Sequence, residues 1–140
     1  MPRPVAAIPR GMTLIELLVV IAIVAVLAGL ALPGYGAYVA RAQRAQAQAQ
    51  LMQAAQFLER FYAAHATYTG AVLPPGLSVS PPGADTATAH YTLAVTGSDT
   101  GYTLTATRQG APDGCGNLRL QHTGAREVTH PNARVEDCWR

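Results

Sequence analysis

The chain contains no lysine: all ten of its basic residues are arginine, and nothing in the composition explains that preference. Charge of either sign is sparse, at 13% of residues. Arg3 and Arg10 precede residue 12, and from there on eight arginines face eight acids, so the body of the chain is formally neutral. A dedicated nucleic-acid surface is strongly basic, so this balance argues against one covering the whole body, though not against a local patch. A phosphate-binding loop, a dinucleotide glycine motif and zinc-ligand spacing are all missing. His65, His90, His122 and His130 are scattered, and no nucleophile has an evident base and orienting partner. The expectation is a protein that is not an enzyme and carries no cofactor.

At 140 residues the chain suits a single globular domain at most. About thirty of those residues are spent on a short basic leader and a long apolar run. The hundred or so that remain can bury only a small core, of the kind that often needs a covalent staple. Leu17 to Leu32 carries no charge, and extending back to Met12 adds only Glu16 as an interruption. As a helix, Met12 to Leu32 spans about 30 Å, the thickness of a bilayer core. An ionisable residue inside such a segment is a functional-site hypothesis by default.

Three readings of this N-terminus compete. A secretory signal peptide accounts for the leader arginines and the apolar run, with small residues near Ala28 to Ala31 as a cleavage site. Its run is long for that role and begins with an acid. A plain signal anchor is the second, although Arg3 and Arg10 before the span and Arg41 and Arg44 after it leave the orientation rule tied. The third is a leader cut just ahead of the apolar run, so that the helix survives. Thr13-x-x-Glu16 also matches a capping box, in which the two side chains satisfy free N–H groups at a helix start, and an acid there favours the helix dipole.

The run Arg10-Gly11-Met12-Thr13-Leu14-Ile15-Glu16-Leu17-Leu18 resembles the class III signal of type IV pilins and type II secretion pseudopilins. The resemblance implies that a membrane prepilin peptidase cuts between Gly11 and Met12 and that the new amino terminus, on Met12, is methylated. Met12 departs from the family, which usually has Phe there; both are bulky and apolar. Glu16 then falls at the acid the family keeps near the cut end. There it is expected to pair with the amine of a neighbouring subunit, penalising wrong axial register because a mispaired buried charge is costly.

Gly29, Pro33, Gly34 and Gly36 crowd the end of the span. Pro33 lacks an N–H and its ring opposes the carbonyl of Gly29, so a helix break is expected there, either a kink or a segment that melts in a filament. From Ala37 the pattern is amphipathic again, with Leu51, Ala54, Ala55, Leu58, Phe61, Tyr62 and His65 near helical spacing and glutamines mostly between. One helix from about Met12 to Ala66 is expected. Residues 67–89, rich in Pro, Gly, Ser and Thr, read as a long loop. Period-two runs follow at Tyr91, Leu93 and Val95, at Tyr102, Leu104 and Ala106, and at Leu118 and Leu120, with a hairpin loop over Gly97 to Gly101. A turn near Thr123-Gly124 leads to a short strand at Arg126 to Val128. These elements give an α+β fold, a long N-terminal helix packed on a small antiparallel sheet of three or four strands. The organisation is a leader, 1–11, a hydrophobic anchor and filament-core helix, 12–36, its amphipathic half, 37–66, and a β-sheet head, 67–140.

Cys115 and Cys138 close a loop of 24 residues counting both ends. In an exported domain such a pair is expected to be bonded, worth about 3 kcal/mol by chain entropy. Metal binding is the alternative, without any nearby histidine pattern to support it. The pair resembles the D-region of type IV pilins and would staple a last strand and tail, residues 129–140, to the sheet. Together with Thr123-Gly124-Ala125-Arg126 and Cys138-Trp139, it is most similar to the PilE-type minor pilins. The resemblance implies a structural subunit of a type IV pilus, minor rather than major. It would sit in the inner membrane with its head in the periplasm and then move into an extracellular filament for adhesion, twitching motility or DNA uptake. Its partners would be other pilins, the prepilin peptidase and the pilus assembly platform. The alternatives are a DNA-binding minor pilin acting as an uptake receptor, with Arg108, Arg119, Arg126 and Arg134 as phosphate contacts if they share a face, and a type II secretion pseudopilin.

Overall fold

A computed structural model describes residues 11–140, with only the backbone described for residues 30–33. The leader up to Arg10, including Arg3, and the side chain of Pro33 lie outside the described residues. The chain divides into two compact units, Met1–Gly36 and Ala37–Arg140.

Helix α1 runs over Leu14–His65 and contributes to both units. Thr13 stands at its N-cap: the Thr13 carbonyl accepts the first helical bond from Leu17 N–H, and Thr13 Oγ1 accepts the Glu16 N–H at 3.3 Å. In the first unit the apolar side chains from Met12 to Leu27 are exposed around the whole helix. The backbone is helical through Gly29, Gly34 and Gly36, and a Cβ at any of the three would meet nothing within 4 Å. Packing within the chain therefore does not require glycine there. Among the described residues no single helix is long and apolar enough to cross a membrane, but Leu14–Gly29 and Gly34–His65 pass that test as a pair.

In the second unit α1 buries Ala47, Leu51, Ala54 and Leu58 completely. Their spacing keeps one face on the sheet. This stripe begins a turn earlier than the sequence pattern suggests, and it stops before Tyr62 and His65, which are exposed. The last turns stack along the helix instead, with the His65 ring on Phe61 at 4.1 Å.

The sheet has five strands in the order β1-β2-β3-β4-β5, every neighbouring pair antiparallel: β1 (Val79–Ser80), β2 (Tyr91–Gly97), β3 (Tyr102–Arg108), β4 (Leu118–Gln121) and β5 (Arg126–Val128). Tyr91, Leu93, Tyr102, Leu104, Ala106, Leu118 and Leu120 are buried against α1, while Thr96, Thr103, Thr105 and Arg119 alternate with them. Each fully buried leucine contributes about 1.5–3 kcal/mol. The sheet has five strands where three or four are expected, because the expected loop contains a 3-10 turn at Pro75–Leu77 and then β1. β1 exists because a side chain holds it: Gln50, only 2% exposed on α1, donates its amide to Gly76 O and Val79 O. The expected last strand in residues 129–140 is a second correction. Beyond β5 the chain turns at Pro131 into a four-residue helix, α2 (Val135–Cys138). Trp139 Nε1–H donates to Glu127 O at 3.1 Å. Gln50 thus caps a carbonyl on the β1 edge of the sheet, which blunts that edge against strand addition, while Trp139 ties the tail to β5.

Candidate functional site

At the N-terminal end, Gly11, Met12 and Glu16 are all exposed. Met12 and Glu16 are four positions apart, so a cut before Met12 would place a cationic amine one helical turn from the carboxylate. Among the described residues the apolar surface from Met12 to Leu27 has no partner, a contiguous patch far larger than a monomer in water exposes without one.

The strongest electrostatic construction is in the head and was not visible in the pattern of the sequence. Asp113, its side chain 1% exposed, lies 2.7 Å from Arg44 Nη2 and 3.5 Å from Arg108 Nη1. Arg44 Nε also donates to it at 3.1 Å, as does the Tyr91 hydroxyl at 3.3 Å. Its other oxygen accepts the Cys115 N–H at 3.0 Å. Burial pushes the Asp113 carboxyl up, but the Arg44 hydrogen bond, the Cys115 N–H and the charges of Arg44 and Arg108 outweigh it and hold the group below the ordinary carboxylate range. The cluster joins α1, β2, β3 and the loop that enters the disulfide. Cys115 and Cys138 are bonded, and the amide of Gln48 on α1 donates to Cys138 O at 2.6 Å.

A second network lies at the other end of the head. The hydroxyls of Tyr68 and Tyr102 both donate to Glu59. Burial, then the charge of Glu59, pushes the Tyr102 phenol up to about 12. Tyr68 is raised for the same reasons.

The four arginines considered for phosphate contact are not equivalent. Arg108 is mostly buried; it donates to Ala111 O and Tyr91, approaches Asp113, and its guanidinium lies 5.4 Å from the Tyr91 ring centroid. Arg134 is exposed but shares Asp137 and Glu136. Arg119 is exposed on β4 and pairs across the sheet with Glu127 on one side and Thr105 on the other. Arg126 is exposed on β5 with its guanidinium 5.3 Å from the Trp139 ring centroid. Among the described residues neither Arg119 nor Arg126 forms an ion pair. The two sit on one hairpin but on opposite faces: Arg126 lies across from Leu120 on the helix side, and Arg119 across from Glu127 on the open side, so the four arginines do not share one face.

Residues 33–119 match the family model described as type IV minor pilin ComP, DNA uptake sequence receptor. Residues 9–32 match the prokaryotic N-terminal methylation motif. No curated protein matches the chain. The first match covers well over half of the sequence and runs from the end of the apolar segment to β4, so the chain belongs to the ComP family of type IV minor pilins. The long helix on a small antiparallel sheet and the Cys115–Cys138 disulfide agree with a pilin-like architecture.

Proposed function

We propose that the chain is cut between Gly11 and Met12, methylated on Met12, held in the inner membrane with its head in the periplasm, and then drawn into a filament with other pilins. The observation that carries this reading is the match of residues 9–32 to the methylation motif, supported by the exposed apolar surface from Met12 to Leu27. That surface suits lipid first and the packed helices of other subunits afterwards. Glu16 is the register element: its carboxylate, once among packed apolar helices, needs the Met12 amine of a neighbour. The test is Glu16→Ala. Mass spectrometry of the mature N-terminus is expected to find normal cleavage and methylation, while sheared filaments lose the subunit. Normal incorporation of the variant would remove Glu16 from this role.

The family description favours a second role for the head, capture of DNA for uptake. Of the four arginines considered for phosphate contact, Arg119 and Arg126 have guanidinium groups not committed to a carboxylate among the described residues, and Arg119 lies on the open face of the sheet. Binding of a duplex is then expected to weaken steeply with salt, and Arg119→Gln should lower the slope of log K against log salt by about one, for the one lost phosphate contact. An unchanged slope would leave the head without this contact.

A further inference from the structure

The formally neutral body of the chain hides an uneven distribution of charge. Five of its eight arginines, Arg41, Arg44, Arg108, Arg134 and Arg140, gather around one region of the head, against Asp113, Glu136 and Asp137. The rest of the chain beyond the leader holds three arginines against five acids. Each central carboxylate there is outnumbered. Asp113 is shared by Arg44 and Arg108. Asp137 is shared by Arg134 at 3.0 Å and Arg140 at 2.6 Å. Arg41 is exposed and has no ion pair among the described residues.

Arg41, Arg44 and Arg134, with Asp113 and Asp137, line a groove of about 450 Å³ between α1 and the segment around α2. A neighbouring cavity of about 250 Å³ shares Arg41 and Arg44 and adds Gln48 and Arg140. The floor is fixed: the disulfide ties α2 to the Cys115 loop, the Gln48 bond to Cys138 O ties it to α1, and Asp113 holds Arg44 in place. Such a site favours an anion with several acceptor oxygens, for which guanidinium geometry is well matched.

The groove's place in the chain favours one source of that anion. Ala37, the first residue of the second unit, lines it. Arg41 follows Leu32, the last residue of the apolar run, by nine positions, at most about 14 Å of helical rise. The headgroup zone extends roughly 5–8 Å beyond each face of the hydrocarbon core, within reach of a long basic side chain that snorkels toward it.

We propose that this arginine groove binds the phosphate headgroup of an anionic membrane lipid while the subunit is membrane-held. The proposal rests on the membrane-held stage of the proposed function. A headgroup bound there adds a polar attachment to the apolar one, and extraction into a filament requires its release.

The full chain in detergent, mixed with equal amounts of phosphatidylglycerol and phosphatidylcholine and examined by native mass spectrometry, tests this. Retention of phosphatidylglycerol is expected to exceed that of phosphatidylcholine by about tenfold or more, and the paired variant Arg41→Gln, Arg134→Gln should bring the two close to parity. Arg44 and Arg108 are left intact because Asp113 depends on them. Equal retention of the two lipids, or a preference untouched by the variant, would overturn the proposal. So would displacement of the lipid by inorganic phosphate at equal concentration, which would make the groove a general anion site, or by a short DNA duplex, which would make it a nucleic-acid contact. Carbonate-resistant retention in membranes checks the anchoring stage on its own. Loss of that retention in the wild-type chain would sink both readings, while retention without lipid preference would sink only this one.

Discussion

Arg44 and Asp113 stand 69 positions apart in the chain, and their side chains meet at 2.7 Å inside the head. The pair joins the helix to the loop that enters the disulfide, and Arg108 completes it from β3. Removing the carboxylate while keeping both guanidiniums would leave two mostly buried charges uncompensated. Asp113→Ala is expected to destabilise the head by about 3–5 kcal/mol, whereas Arg119→Gln on the open sheet face should change stability by less than about 0.5 kcal/mol. Chemical denaturation followed by circular dichroism, with the chain in detergent, compares the two.

The same carboxylate sets an acid limit. Its folded pKa lies below its unfolded value, about 3.9 for an aspartate. The stabilisation it carries is therefore fully present above that value and is lost as pH falls through the lowered one. Acid unfolding of the wild-type chain should include this loss, and the curve for Asp113→Asn should be flatter across the same window.

An alkaline limit follows from Glu59. The Tyr102 phenol is pushed up to about 12 by burial and by Glu59, so its contribution is complete below the unfolded tyrosine value near 10 and disappears as pH rises to about 12. Of the six tyrosines in the sequence, Tyr68, Tyr91 and Tyr102 are raised and should ionise late in a spectrophotometric titration. Glu59→Gln should bring Tyr68 and Tyr102 earlier and leave Tyr91 unchanged.

Two glycines bracketing the β2–β3 hairpin loop should respond differently to alanine. A Cβ on Gly97 would press into the backbone carbonyl oxygen of Tyr68, which Tyr68 N–H, bonded to Ser98 O, helps to hold in place. A Cβ on Gly101 would meet the His122 ring at 2.7 Å, and that side chain is exposed. Gly97→Ala should cost about 1–3 kcal/mol, as overpacking does, and Gly101→Ala clearly less, measured by thermal melting.

Reducing the Cys115–Cys138 bond should cost about 3 kcal/mol on the chain-entropy estimate. Because Trp139 follows Cys138 and caps Glu127 O on β5, amide hydrogen exchange should rise first in β5 and α2. Uniform loss of protection across the sheet would show that the bond supports the whole head rather than that edge.

The elements that announced themselves in the sequence are those with a sustained period. The helix showed through its apolar run and its 3.6-residue stripe. Strands β2, β3 and β4 showed through alternation, and β5 through the turn at Gly124, whose φ is +82°. β1 was hidden because two residues among prolines carry no period and are held from outside by Gln50. α2 was hidden because four residues make one turn, placed by the disulfide and by Gln48. The missed electrostatic site has the same origin: nothing along the chain sets Asp113 apart, and only folding brings two arginines to it.

By itself, the sequence determined the leader, the acid ahead of an apolar helix, the α+β class and the position of the staple. Each of these is local, written in spacing, polarity and covalent chemistry along the chain. Only tertiary structure decided which arginines are free. Arg108 turned inward to Asp113, Arg134 is shared with acids, Arg119 and Arg126 remain available on a hairpin, and Arg41 opens a basic groove in a neutral body. Charge along a chain is a sum, whereas the field at a surface depends on which opposite charges folding brings within a few ångströms.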